Sequence, residues 1–382
     1  MKTVKINIRD FAPVLVAVAV MAILLLIPTG YEDKEIYKGA EQCKAQVVEV
    51  DNSMVKDTGL LRAGEQKCKV LFMEGKFQGQ YAYGVNMMSG SLENDKFFQV
   101  GDEAMVVANY QGGQITSVSM IDHYRINAEI ILAVIFVALL IVYAGKTGIR
   151  AILSFAVAVL ALWKLLIPMF LNGHNPVLTG LWITAALTVI IISLVYGFDK
   201  RFFSAITGCF AGMLVTCILG VVFTDMFKIH GAVMQFSETL LYSGYANLSL
   251  TQIFMASIFI GASGAVMDVA VDITSAMHEV TDKKPDIGRK ELIKSGFNVG
   301  RAIMGTMTTT LLLAYSGGFI ALIMVFMAQG TPLYNIFNFK YVAAEIVHTI
   351  VGSFGLVSVA PLTAIAAGFF LTKKTKVAVR GQ

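Results

Sequence analysis

Two textures alternate along the chain. Residues 11–27 are apolar for about the length that crosses a bilayer, since ~20 helical residues at ~1.5 Å each span a ~30 Å hydrocarbon core. From residue 126 the same texture returns almost without interruption. Hydropathy divides it into the segments 126–144, 149–170, 177–197, 202–223, 251–274, 301–328 and 341–371. With the first run, that predicts about eight transmembrane helices, the longer ones tilted or continuing past the bilayer. Residues 224–250 are apolar but interrupted, which suits an interfacial or re-entrant helix.

Between the first and second spans the period changes from helical to two. Segments 45–51, 66–74, 77–88, 104–110 and 114–122 read as strands, with hairpin signals at Glu74-Gly75-Lys76 and Gln111-Gly112-Gly113. Five short strands over 31–124 predict a small β-barrel or sandwich. The expected fold is an all-α polytopic membrane bundle of about eight transmembrane helices with one small extracytoplasmic all-β domain. Its parts are an anchor at 1–28, the β domain at 31–124, a seven-helix domain at 126–372 and a basic tail at 373–382.

Charge sets the orientation. Only 15% of residues are charged against 56% hydrophobic, and the basic ones are segregated. Lys2, Lys5 and Arg9 precede the first span, and Ile27-Pro28-Thr29 offers no small-residue cleavage site, so the segment reads as an uncleaved anchor. Lys146 with Arg150, Lys200 with Arg201, the set Lys283, Lys284, Arg289, Lys290 and Lys294, and the tail then fall on one side. The opposite connections carry only Lys228 and Lys340. Under the positive-inside rule both termini are cytoplasmic in the cell membrane, and 31–124 lies outside. Lys164, late in the third span, reads as a side chain snorkelling to the outer interface.

The polar stretch holds no His cluster, Ser/His/Asp set or phosphate-binding glycine loop, so it reads as a structural or partner-binding module. Cys43 and Cys68 within it either pair or remain free thiols. Cys209 and Cys217 read as packing residues, and no cysteine belongs to a metal-binding pattern. No cofactor is expected and the metal question stays open.

The candidate chemistry lies in 261–279, GASGAVMDVAVDITSAMHE. Ser257, Gly261, Gly264, Asp268, Asp272, Ser275 and Glu279 recur at spacings of three and four and share one helical face. Charge in hydrocarbon costs at least about 3 kcal/mol, so this face must meet other helices or a wet cavity. Asp268 falls inside the hydrocarbon, Asp272 one turn nearer the cytoplasm, and Glu279 in the interface. Each reads as an ion or proton site, or as a packing group held by hydrogen bonds or an ion pair.

The following helix begins SGFNVGRAIMGTMTTT. Asn298 and Arg301 lie near its inner edge, and Thr306, Thr308, Thr309 and Thr310 lie deeper. An antiparallel return puts Thr306–Thr309 at the depth of Asp268. Hydroxyls and carboxylates together suit a hard cation or a proton chain, but threonines also bond their own helix carbonyls. Arg301 reads equally as a counter-charge to Asp272 or Glu279 and as an interfacial anchor. The last span brings Glu345, His348 and Thr349 near the outer side and Pro361 into mid-helix. Gly208, Gly212, Thr216 and Gly220 form a small-residue packing stripe on the fifth span.

At GAVMDVAVDITSA, at KELIKSGFNVGRAIMGTM with TLLLAYSGG after it, and in the β domain between the first two spans, the chain resembles the bacterial YibE/F-like multi-span family. The resemblance covers most of the chain and implies a membrane protein without an assigned activity. A weaker similarity, in topology, is to one half of resistance-nodulation-division exporters and of the SecD and SecF proteins, which use proton flux through membrane carboxylates. This chain has two more spans and a much smaller outer domain than such a half.

The function expected is a secondary transporter or ion-coupled permease, with Asp268 and Asp272 as the proton or cation site. Thr306, Thr308 and Thr309 line it, Arg301 is the counter-charge, and Asn298, Ser275 and Glu279 extend the pathway. Glu345 and His348 form an outer polar site. The alternative is a non-transporting scaffold or secretion-assisting protein whose β domain binds a partner. No Walker, HExxH or GxSxG motif occurs, so neither ATP use nor enzyme activity is expected. The partners are the bilayer, a small solute or ion, a protein at the β domain and further copies of the chain; nucleic acid is not among them.

Overall fold

The computed structural model describes residues 8–34 and 36–372. Lys2, Lys5 and the tail from residue 373, which entered the charge argument, lie outside those residues. The chain divides into two units, 31–143 and a second made of 1–30 with 144–382.

In the first unit, β1 (Glu41–Asp57), β2 (Arg62–Phe72), β3 (Tyr81–Ser89), β4 (Glu103–Gln111) and β5 (Gln114–His123) close into a barrel in the order β1-β2-β3-β5-β4. All neighbours are antiparallel except β3 and β5, the Greek-key arrangement of OB-type barrels. Alternate positions fill the interior, among them Ala45, Val47, Val70, Phe72, Val106 and Val118. The turn expected at Glu74-Gly75-Lys76 belongs to a longer connection, because Phe77 folds inward and is 2% exposed. The β1–β2 turn, for which no signal was read, sits at Thr58–Leu61, where Asp57 accepts from the Gly59 amide and Thr58 bonds Leu61 in both directions. At Gly112 and Gly113 both φ values are positive (60° and 86°), which a two-residue hairpin turn requires.

Cys43 and Cys68 are free and buried in this barrel. Cys68 lies opposite Val50, seven residues along β1 from Cys43. That separation of roughly 20 Å at ~3.3 Å per residue is far beyond disulfide reach. Burial, with Glu41 or Asp102 nearby, pushes both thiols up to about 11.

The helices run as α1 (Ile8–Leu26), α2 (Ile126–Ala161) leading through a π turn into α3 (Ile167–Leu171), α4 (Pro176–Tyr196), α5 (Lys200–Met226) and α6 (Ser237–Tyr242). They continue as α7 (Leu250–Lys283), α8 (Arg289–Ser316), α9 (Ile320–Ala328), α10 (Leu333–Asn338) and α11 (Lys340–Leu371). Among the described residues, six helical stretches are long and apolar enough to cross a membrane. The first, Ile126–Leu171, is broken at Gly145 (φ 54°, ψ −124°), which separates the two spans read at 126–144 and 149–170. Counted as two arms and joined by the apolar α1, these give the eight segments of the hydropathy reading. The chain is a multi-pass membrane protein: a helical bundle with a small β-barrel.

Polar caps set the helix starts. Asn175 accepts from the Leu178 amide, Asp199 from those of Arg201 and Phe202, and Ser249 from that of Gln252. Within the bundle, α5, α7 and α11 pack most closely. The seam between α5 and α11 is built on the predicted stripe: Gly208 lies against Thr363, Gly212 against Val359, and Thr216 against Gly355. Small residues let the backbones approach, as membrane helices require without a hydrophobic drive between them. Val266, Val269, Ala270, Ile273 and Met277 of α7 fill the core beside this seam. The segment at 224–250 forms only a 3-10 turn and the six-residue α6, packed through Gly231 onto the start of α7.

Candidate functional site

The face of α7 opposite its packed side carries the acidic stripe. Gly261, Gly264, Asp268, Asp272, Ser275 and Glu279 are all exposed, while the flanking Ala262, Ser263, Val266, Val269, Ala270, Ile273 and Thr274 are buried. The helical period puts the carboxylates on the side of the bundle. Asp268 and Asp272 are one turn apart, and neither has a hydrogen bond or ion pair among the described residues. At ~1.5 Å per residue Asp268 is about 27 Å from the helix start, still within a ~30 Å hydrocarbon core that begins there.

The inner end of the stripe is tied down. Tyr196, the last residue of α4, donates its hydroxyl proton to the Val271 carbonyl at 2.6 Å, and the Ser275 hydroxyl meets the Tyr196 hydroxyl at 2.6 Å. Glu279 pairs with Lys283 at 3.0 Å along the helix surface. An exposed pair at that spacing is worth about 0.3–0.5 kcal/mol and needs no further role.

The outer end meets α8 and α11. Two buried polar atoms without a hydrogen-bond partner, the Tyr315 hydroxyl and His348 Nε2, converge on Gly261. A Cβ at Gly261 would stand 2.8 Å from the former and 3.3 Å from the latter. The two rings lie with centroids 4.5 Å apart. The His348 imidazole also lies by the Ser257 backbone, one turn along the same face of α7. Glu345 accepts from the Thr349 hydroxyl at 3.1 Å and stands within electrostatic reach of Tyr315. Buried polar groups are paired in all but a few cases, so two orphans at one point mark a place for water or another small polar occupant.

The other predicted residues divide. Gly300 rests on Ile273, and Gly296 on Met277, which sets the antiparallel register of α8 on α7 and brings Thr306 level with Asp268. Yet Thr306 donates to Ile303, Thr308 to Met304 and Thr310 to Thr306, all carbonyls of their own helix. Thr309 and Asn298 are exposed and without a partner among the described residues. Arg301 is exposed, meets neither Asp272 nor Glu279 in an ion pair, and instead lines a cavity of about 440 Å³ between α8 and α11 with Phe297, Met304, Val357 and Pro361. Pro361 has no amide proton to give the Val357 carbonyl, so that acceptor is freed in the same cavity. Among the described residues no three His, Cys, Asp or Glu side chains come together as a metal site.

The sequence reading missed Tyr315, Tyr196 and the contact at Gly261. The available signal was a tyrosine closing an apolar run in LLLAYSGG, one helical hairpin away from the glycine it touches.

The helices that build this face also decide the comparison with known proteins. The family model described as YibE/F-like protein matches residues 132–373. The chain belongs to the YibE/F-like family. The match begins inside α2 and takes in α7, α8 and α11, so the stripe and the Tyr315–His348 pair lie within the family region while the β-barrel precedes it. No curated protein matches the chain. No solved structure matches it either.

Proposed function

We propose that this YibE/F-like protein is a secondary transporter or ion-coupled permease, without enzyme activity, in which Asp268 and Asp272 exchange a proton or a cation. The observation that carries this reading is the bare state of the two carboxylates. They occupy one face of a bilayer-length helix, one turn apart, with no cation or donor among the described residues to neutralise them. A purely structural carboxylate at the depth of Asp268 would be paired, because an unpaired charge there costs several kcal/mol. Two carboxylates four residues apart also repel, and one proton or one cation relieves that repulsion.

The same face leads outward past Gly264 to Gly261, about 10 Å along the axis from Asp268, where the Tyr315 hydroxyl and His348 imidazole wait. Those two groups, with Glu345 behind them, supply donors and acceptors for a water-borne proton on the other side of the carboxylates. The segregation of lysine and arginine supports an orientation in the cell membrane with both termini cytoplasmic and the barrel outside. On that orientation Asp272 faces the cytoplasm and His348 the exterior.

Reconstitution in liposomes with an internal pH or cation indicator tests the reading. Wild-type protein should dissipate an imposed gradient, and Asp268→Asn should not, while inserting to the same level. Flux that survives in Asp268→Asn removes the basis of the proposal.

A second reading, a scaffold whose barrel binds a partner, has its own observation. Tyr81, Tyr83 and Met87 of β3 are 60–66% exposed on one face of the strand, with the Lys69 ammonium over both tyrosine rings. Under that reading, alanine at Tyr81 and Tyr83 would damage function more than Asp268→Asn.

A further inference from the structure

The two poles of the β-barrel are chemically unlike. One pole holds the β4–β5 hairpin and the connection from β2 to β3. It exposes Glu74, Lys76, Gln78, Gln80, Gln111 and Gln114, with Met73 the one exposed large apolar side chain of those two connections. The other pole holds the β1–β2 turn and the segment between β3 and β4. There Leu60, Leu92 and Val100 are 75%, 73% and 62% exposed. The leucines are not scattered: Leu60, Leu61 and Leu92 ring one cavity of about 220 Å³ together with Arg62 and Phe97. Single exposed leucines are ordinary, but a cluster at one end of a small domain marks a surface that meets something apolar.

Contacts tie this pole to the point where the chain enters the membrane. The Arg62 guanidinium lies 4.1 Å from the centre of the Phe97 ring, and the next ring, Phe98, lies 4.7 Å from that of His123, the last residue of β5. β3 and β5 run parallel with Val85 opposite Ser119, so Ser89, the end of β3, is level with His123. Only Tyr124 and Arg125 then precede α2, and both are held. The Tyr124 amide donates to the Glu103 carbonyl at 2.8 Å, and Arg125 pairs with Asp122 at 2.8 Å. Three residues at ~3.3 Å leave this pole about 10 Å from the first residue of α2. The arm 126–144 that follows carries one charged residue, Glu129, and no buried one.

We propose that the barrel is seated on the lipid surface by this pole, with Leu60, Leu61, Leu92 and Val100 dipping into the boundary between headgroups and acyl chains of the leaflet on its own side. The occupant follows from the chain itself: a tied junction this short brings the leucine-bearing pole, and not the polar one, to the bilayer. The charges nearby fit an interfacial seat. Arg62 is paired with Asp57 at 2.8 Å, and the Asp95 carboxylate is taken up by the amides of residues 89–91. Lys56, Glu93 and Lys96 at the margin suit the headgroup layer, where apolar side chains beside polar ones bind without spanning. The inference stands apart from the transport reading and goes beyond it.

The test uses the full-length protein in liposomes, with Leu60→Cys, Leu92→Cys and, at the far pole, Gln114→Cys made singly and labelled with a small fluorophore. The four native cysteines are buried. Quenching by a nitroxide on the upper acyl chain of the lipid is compared with quenching by aqueous iodide. Labels at 60 and 92 should be quenched by the lipid, and severalfold less by iodide than the label at 114, which iodide alone should reach. Iodide quenching at 60 and 92 equal to that at 114 would overturn the proposal. So would labels shielded from both quenchers, since protein and not lipid would then cover the pole. A second measurement removes the label's own affinity for lipid. With the reporter at Val100→Cys, adding Leu60→Glu and Leu92→Glu should replace lipid quenching by iodide quenching, while Cys43 and Cys68 stay unreactive as in the folded barrel. Lipid quenching at 100 unchanged by the two glutamates also overturns it. Quenching reads depth and not flux, so an inert Asp268 would sink the transport reading and leave this seat standing.

Discussion

Tyr315 and His348 lie ring against ring with centroids 4.5 Å apart, and each turns a buried polar atom without a protein partner toward the bare backbone of Gly261. Packing alone does not account for that arrangement. A dry pair of orphans forfeits about 1–3 kcal/mol per group, and phenylalanine would stack as well as tyrosine. If the two atoms hold a water or a proton in transit, Tyr315→Phe should lower the thermal midpoint in detergent and slow gradient dissipation. A midpoint that rises, with unchanged flux, would show the pair to be dry and outside the pathway.

The seam between α5 and α11 depends on glycine and threonine fitting into one another. The Cβ of any larger residue at Gly355 would collide with Thr216. Gly355→Val should therefore force the helices apart, at a cost of about 1–3 kcal/mol or more. Val357→Ile, on the exposed side of the same helix, should be neutral. The comparison is read by thermal unfolding in detergent, and equal midpoints for the two variants would contradict the packing described.

Acid should loosen the barrel at one identifiable place. The Asp95 carboxylate accepts from the amides of Ser89, Gly90 and Ser91 and from the Ser89 hydroxyl at 2.6–3.0 Å. Those bonds, the Ser89 amide first, hold its carboxyl below the usual carboxylate range. A carboxyl whose folded value lies below its unfolded one contributes stability above the unfolded value of about 3.9 and loses it as pH falls through the folded value. Amide exchange at Ser89–Ser91 should therefore accelerate below about pH 4, and Asp95→Asn should show the fast exchange already at neutral pH. Protection in Asp95→Asn equal to wild type would contradict this.

Much of the fold was legible because bilayer length and helical period are written plainly in the residues. The acidic face emerged from spacings of three and four before any neighbour was known, and the small-residue stripe of α5 found its counterparts Thr363, Val359 and Gly355 on α11. Relations fixed by a second element were not legible. Tyr315 reaches Gly261 only because Gly296 and Gly300 set the register of α8, and Arg301 turns to α11 because the packed side of α8 faces both neighbours. The barrel hid a similar relation. Gln66, fully buried, bonds Asn52, Asn86 and both backbone groups of Phe98, partners 14 to 32 residues away. Strand alternation marks such a residue as inward without saying why a polar one is tolerated. The β1–β2 turn was missed because side chains of Asp57 and Thr58 build it within an otherwise continuous strand pattern.

The central claim is that the Asp268–Asp272 pair exchanges a proton or a cation. Infrared difference spectroscopy on the reconstituted protein reads this directly, with spectra taken on stepping pH across neutrality and on adding monovalent or divalent cations at fixed pH. A carboxylic-acid band that responds to the pH step, or a carboxylate band that shifts with the cation, is the expected result, and it should vanish in Asp268→Asn. Carboxyl bands unmoved by either step between about pH 5 and 9, or a response that persists unchanged in Asp268→Asn, would contradict it.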